Sequence, residues 1–287
     1  VLAGRVVQGI GAGGTYQLAM ALTGDIFTGP ERPKTLGLLE AANGLGKVVS
    51  PILGAAVALI VWYGPFFFYS LVAFPVAAAV WLIVREPELK RQEGGVAAYW
   101  REIKRIVKKR GTPLLACYIV GMVSLFLLFG VLSFVSDELE ARYQVTGFAS
   151  GLWLAIPVTL MALTAYGVGL FLQAKLSWVK VGLLAGMALA VTGLFAAPFT
   201  MQSLPLFIAA IGVLGIGVGM VLPCLNMLIT SAADQQERGV ITAFYGTVRF
   251  VGVAFGPPTF ALLLHQGRPF MFWTAAALAA AILVIGW

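Results

Sequence analysis

One pattern occurs twice in this chain, at an ungapped offset of 206 residues. Gly9-Ile10-Gly11-Ala12-Gly13 is answered by Gly215-Ile216-Gly217-Val218-Gly219, and Glu31-Arg32 by Glu237-Arg238. Gly46 is answered by Gly252, Pro51 by Pro257 and Phe66 by Phe272. Glycine matches carry little weight in a chain with 34 glycines, but a Glu-Arg pair and a proline on the same offset carry more. Both copies read apolar run, charged turn, apolar run, short turn, apolar run. Such a chain is expected to fold as a duplication of helical triplets related by pseudo-symmetry.

Composition decides the solvent. Charged residues make up 11% of the chain and hydrophobic residues 60%, with a mean hydropathy of +0.94. Soluble domains carry about a quarter charged residues, so this chain is solvated by lipid. A membrane barrel alternates polar and apolar residues, whereas these runs are apolar on all faces. Nine segments approximate the length needed to cross a bilayer as a helix: 1–24, 35–61, 64–84, 113–136, 147–172, 178–199, 204–230, 239–264 and 269–287. Turn chemistry separates them at Gly29-Pro30-Glu31-Arg32-Pro33, Gly64-Pro65, Gly111-Thr112-Pro113 and Gly267-Arg268-Pro269. The fold class is an all-α polytopic bundle. Duplicated apolar halves can rock around a shared site, which points toward secondary transport.

Basic residues set the orientation. One set of segment ends carries fourteen Lys and Arg, nine of them between Arg85 and Arg110; the other carries only Arg142 and Arg268. By the positive-inside rule the first set is cytoplasmic. The protein is thus expected in the cell membrane, multi-pass, with residues 85–112 as a cytoplasmic linker between a partial N-terminal half (1–84) and a six-helix half (113–287). Residues 98–110 alternate bulky apolar and basic side chains, as in a helix on an anionic leaflet or a charged linker. The repeat pairs the first three spans with the last three and leaves the middle three (113–199) without partners. Their partners would lie upstream of Val1, so three N-terminal helices are expected to be missing. A nine-span protein is the alternative.

The opening Leu2-Ala3-Gly4-Arg5-Val6-Val7-Gln8-Gly9-Ile10-Gly11-Ala12 resembles the fourth-helix motif of the major facilitator superfamily. Asp25 followed by Glu31-Arg32 looks like the cytoplasmic turn after that helix. Gly46-Lys47-Val48-Val49-Ser50-Pro51-Ile52-Leu53-Gly54 is similar to the antiporter motif in the fifth helix of proton-coupled drug exporters. The resemblance implies a fragment covering family helices four to twelve of the twelve-helix drug:proton antiporter branch. It implies Gln8, Gly9, Gly46, Pro51, Gly54 and Pro257 as structural motif residues. Ser50 stands where the motif usually has Gly, and Lys47 where a small or apolar residue is usual. Gly169-Leu170-Phe171-Leu172-Gln173-Ala174-Lys175 keeps only fragments of the family's later turn.

Six residues are candidates for proton coupling or gating: Arg5, Asp25, Glu40, Asn43, Lys47 and Arg249. Arg5 is a charge inside a span, with a relay role implied by the resemblance, or an Arg that snorkels to the surface. Glu40, Asn43 and Lys47 share one helical stripe, which Gly44, Pro51 and Gly54 continue. Glu40 is expected to be a protonatable coupling site or a gate residue that pairs across the seam between halves; a structural ion pair is the alternative. Arg249 falls on the repeat position of Asn43, and its carboxylate partner is expected in the missing helices. Asp25, Glu31, Arg32, Glu237 and Arg238 are gate ion pairs or solvated turns. Candidate cavity residues are Tyr16, Gln17, Tyr118, Met122 and Asn226, with Met20, Phe126, Pro223 and Met227 beside them. His265 reads as an interface residue, and Cys117 and Cys224 as space-filling.

No phosphate-binding Gly-rich loop followed by Lys-Ser/Thr, no HExxH, no GxSxG and no Cys/His cluster occurs. No cofactor, metal, enzyme activity or nucleic-acid partner is expected. The expected partners are a small-molecule substrate, protons and the bilayer, with the full-length protein acting as a monomer. Two readings follow: proton-coupled export of small lipophilic compounds by alternating access, or proton-linked import of a metabolite or sugar.

Overall fold

In lipid every backbone polar group needs a partner within the chain, and a run of apolar residues meets that need by becoming a helix. A computed structural model describes residues 2–58, 60–61, 63–83, 96–232 and 235–285. Among them are nine α-helices: α1 (Leu2–Ile26), α2 (Glu31–Ala58), α3 (Gly64–Ile83), α4 (Val96–Ala141), α5 (Gly147–Ala174), α6 (Val179–Thr200), α7 (Leu204–Ala232), α8 (Gln235–Leu264) and α9 (Arg268–Ile285). Six of them contain stretches long and apolar enough to cross a membrane, so the protein is a polytopic membrane protein. Within α9 the stretch Arg268–Leu283 is apolar but shorter. The side chains of Arg5, Pro51 and residues 96–110, and all of 84–95, lie outside the described residues.

The 206-residue offset aligns helix ends as well as motifs. Ile26 maps onto Ala232 and Ala58 onto Leu264, the last residues of α1 and α7 and of α2 and α8. Two boundaries differ from expectation. The turn before α2 is shorter than expected, and Glu31-Arg32-Pro33 forms its first turn. An N–H in a first turn has no intrahelical acceptor, so Pro33 is tolerated there. At Gly111-Thr112-Pro113 the chain kinks within α4 instead of turning. Gly111 takes φ 32° and ψ −122°, a backbone state open to glycine.

The expectation of a bundle lacking its first three helices is corrected here. An all-α bundle spans the chain, and α1 and α2 find their partners within it: α1 packs on α8, and α2 on α5 and α7. Small residues make the seams. A Cβ on Gly37 would lie 2.6 Å from Gly169 Cα, and one on Gly44 2.7 Å from the Ala162 side chain, which locks α2 onto α5. The α4–α8 seam works the same way: Tyr245 fits over Gly121, Phe260 over Gly130, and Gly256 meets the backbone of α4 at Phe126. α7 is the central helix, buried along most of its length against α5 and α6. α3 packs mainly on α2 and leaves Phe67, Leu71, Phe74 and Trp81 exposed.

Candidate functional site

Four helices meet at one carboxylate. Glu40 of α2 is 1% exposed, and its Oε1 is the focus of three donors. Tyr16 of α1 donates its hydroxyl at 2.5 Å, Asn226 of α7 its Nδ2 at 3.0 Å, and Arg249 of α8 its Nη1 at 3.1 Å. Asn226 also donates to the Tyr16 oxygen at 3.1 Å. The Arg249 guanidinium, 3% exposed, lies between the rings of Tyr16 and Tyr245, at 5.5 and 5.1 Å from their centroids. Glu40 Oε2 has no hydrogen-bond partner among the described residues. A buried ion pair gains only where geometry and extra hydrogen bonds offset desolvation. Here Oε1 meets that condition and Oε2 does not.

The cluster draws one residue from each helix of two repeat-related pairs, α1 with α7 and α2 with α8. Its charges sit where the repeats diverge. Glu40 maps onto Gly246 and Arg249 onto Asn43. The expectation that the partner of Arg249 lies in missing helices is therefore corrected: the partner is Glu40, 209 residues away in the chain. Tyr245 was not anticipated. Its position one helical turn before Arg249 was the available signal.

The other candidates separate. Lys47 places its ammonium 5.7 Å from the centroid of the Phe129 ring and lines a cavity of about 320 Å³ with Pro257. Asn43 is half-buried on the same helix. Tyr118 stacks on Tyr245 and donates to the Ile241 carbonyl at 3.0 Å. The Met122 carbonyl meets Gly252. Gln17 packs over Gly246 and lines a larger groove between α1 and α8. Gly9 lines that groove, Gly46 faces open space, Gly54 lies against the Tyr69 hydroxyl of α3, and Gln8 is exposed. Of the five cavity candidates, Tyr16 and Asn226 meet at Glu40, and Tyr118 joins them through Tyr245.

The two ends of the bundle carry further pairs. At the linker end, Arg238 is 8% exposed and pairs with Asp25; it also donates to the carbonyls of Gly24 and Thr230. Arg32 donates to Gly24 at 2.9 Å and Phe27 at 3.0 Å. The bonds Arg32 to Gly24 and Arg238 to Thr230 are equivalent under the offset of 206, so both arginines cap the preceding helix. At the opposite end, Glu138 of α4 is 4% exposed. Arg268 donates to its Oε2 from Nε at 3.1 Å and Nη2 at 3.0 Å, and Arg142 lies 3.7 Å from Oε1. The two arginines counted at this end in the sequence thus share one acid that sequence reasoning passed over. Tyr143 donates to the Met201 carbonyl at 2.5 Å, and burial raises its phenol above the ordinary value. No cluster of three or more His, Cys, Asp and Glu able to hold a metal occurs among the described residues.

Duplicated helical triplets meeting at a buried, cross-repeat charge cluster define a polytopic membrane protein of the transporter type. The family model described as Major Facilitator Superfamily matches residues 1–257 and 179–287, and the chain belongs to that family. It is accordingly a membrane transport protein and not an enzyme. The matched residues run over nearly the whole chain, which corrects the expectation that only a C-terminal portion of the family's helices is present. The chain is 37% identical over 278 residues to the bacillibactin exporter of Bacillus subtilis (strain 168), covering 96% of this chain and 69% of that protein. It is 24% identical over 308 residues to the multidrug transporter protein MdtP of the same organism, covering 88% of this chain and 56% of MdtP. The structure of the human organic anion transporter MFSD10 (TETRAN) has the same fold, with a TM-score of 0.83 at 19% identity. It covers 100% of this chain and 71% of that one.

Proposed function

We propose that the protein is a proton-coupled exporter of small lipophilic compounds working by alternating access, with Glu40 as the coupling carboxylate. The observation that carries this reading is the Glu40 site itself. A buried carboxylate binds donors from three other helices through one oxygen and keeps the second oxygen without a partner. A proton on Oε2 removes the charge that holds Arg249, and the pair weakens across the repeat interface. Deprotonation restores it. An ion pair whose strength follows protonation biases which way two rigid halves rock. The relation to an exporter and a multidrug transporter supports outward movement of apolar or amphipathic cargo. In this reading the basic linker end is cytoplasmic, and Asp25–Arg238 closes that face.

The test uses the protein in proteoliposomes with an imposed pH gradient, following internal pH as lipophilic compounds, sugars and organic acids are added. Proton movement triggered by a lipophilic compound, and lost in Glu40→Gln at equal incorporation, is the expected result. Unchanged coupling in Glu40→Gln overturns the assignment to Glu40. Movement triggered only by a polar metabolite, in the metabolite's own direction, overturns the export reading.

A further inference from the structure

Lys47 presents a second charge that the coupling cluster does not use. It lies seven residues along α2 from Glu40, about 10 Å along the helix axis. Glu40 Oε1 is already engaged by Arg249, Tyr16 and Asn226. No carboxylate lies within 4 Å of the Lys47 ammonium among the described residues. Within the bundle, Glu40, Arg249 and Lys47 therefore sum to one uncompensated positive charge.

That charge borders a cavity of about 320 Å³ between α2, α4, α5 and α8. Leu128, Phe129, Leu132, Leu154 and Val158 supply an apolar wall. Ser133 is the one other polar side chain among its lining residues. The volume falls at the lower end of small-molecule sites, which are mostly apolar with a few polar groups that fix orientation. The Phe129 ring stabilises the ammonium from one side without neutralising it. A cation held at low dielectric without a counter-ion attracts an anion.

We infer that this cavity binds an amphipathic organic anion, its carboxylate or equivalent group on Lys47 and its aromatic or aliphatic body against Phe129, Leu154 and Val158. The inference rests on the exporter reading and sharpens it, because it makes the lipophilic cargo anionic. It also gives Lys47 a task at a position where the family motif usually has a small or apolar residue. Arg249 stays with Glu40, so the charge that moves protons and the charge that holds cargo are separate groups, two turns apart on α2.

The experiment measures equilibrium binding of 2-naphthoate, its primary amide and a naphthyl trimethylammonium analogue. It uses the full chain in phosphatidylcholine nanodiscs, where no anionic headgroup competes. The wild type is expected to bind the carboxylate about tenfold or more tighter than the neutral amide, the scale of one charge-assisted hydrogen bond. Lys47→Gln is expected to bring the two affinities together, and Lys47→Arg to keep them apart. Thermal unfolding of each variant shows that the fold is retained. Should Lys47→Gln fail to fold, the wild-type ratio and Lys47→Arg still decide the matter. Equal binding of acid and amide, preference for the cation, or a preference that survives Lys47→Gln overturns the inference. Binding is read without a gradient. A protein that prefers the anion but moves no protons fails only the coupling reading. One that couples protons but shows no preference fails only this one.

Discussion

Glu40 and Arg249 hold each other in place, and neither is tolerable alone. Removing one partner of a buried pair leaves an uncompensated charge and costs about 3–5 kcal/mol. Glu40→Gln and Arg249→Gln are each expected to lower the unfolding temperature in detergent markedly. The double variant should recover part of the loss, with a coupling energy of about 1 kcal/mol or more in the cycle. Additive losses would mean that the 3.1 Å contact carries no energy of its own. Tyr16→Phe keeps the ring beside Arg249 and deletes the hydroxyl bond to Glu40. It should destabilise by about 1.5–3 kcal/mol, the range for hydrogen bonds to charged groups, as read by the same unfolding measurement. Little of this was legible in the chain. The stripe Glu40–Asn43–Lys47 was visible because helix periodicity puts spacings of three and four on one face. That Tyr16 and Asn226 meet at Glu40 was not, because no local spacing relates residues on α1, α2 and α7.

Between helices, glycine decides how closely the elements approach. The same repeat motif behaves differently in its two copies. Gly215 and Gly219 press against the carbonyls of Pro157 and Met161 of α5, whereas Gly9 and Gly11 meet nothing within 4 Å and line a groove. Motif identity therefore identified the helices but not their neighbours. The α2–α5 lock is testable by contrast. Gly37→Leu forces a side chain into the Gly169 backbone and should lower the unfolding temperature well below that of Gly46→Ala. Gly46 faces open space on the same helix, and Ala there should be neutral or stabilising by up to about 1 kcal/mol. Equal effects would deny the lock. At the opposite end of the bundle, Glu138→Gln should loosen the start of α9. Faster hydrogen exchange at the amides of residues 265–268 and 270 is the expected readout, since Arg268 loses its charged acceptor.

For the whole molecule, the two ends of the bundle carry different ion pairs. Arg238 joins α8 to the end of α1 through Asp25 and Gly24, and Arg268 joins the start of α9 to α4 through Glu138. If the linker end opens in a transport cycle, Asp25→Asn should favour the open state by about 1 kcal/mol or more, a factor of about five. A cysteine placed at Thr23, in a background lacking Cys117 and Cys224, should then label correspondingly faster with an impermeant maleimide from that side. An unchanged labelling rate would make Asp25–Arg238 a helix-end fixture and not a gate.

The chain by itself determined the solvent, the helices and the duplication. Apolar run length, the near absence of charge and the 206-residue offset each follow from local physics or from copying, and none needs a third dimension. It also displayed the Glu-Arg turns whose bonds proved equivalent in the two copies. Only the tertiary structure decided which acid meets which base. Glu40 maps onto Gly246 and Arg249 onto Asn43, so the repeat carries no charge at either equivalent position. The pair exists because α2 and α8 both pack on α7 and their side chains reach each other there, across more than 200 residues of chain.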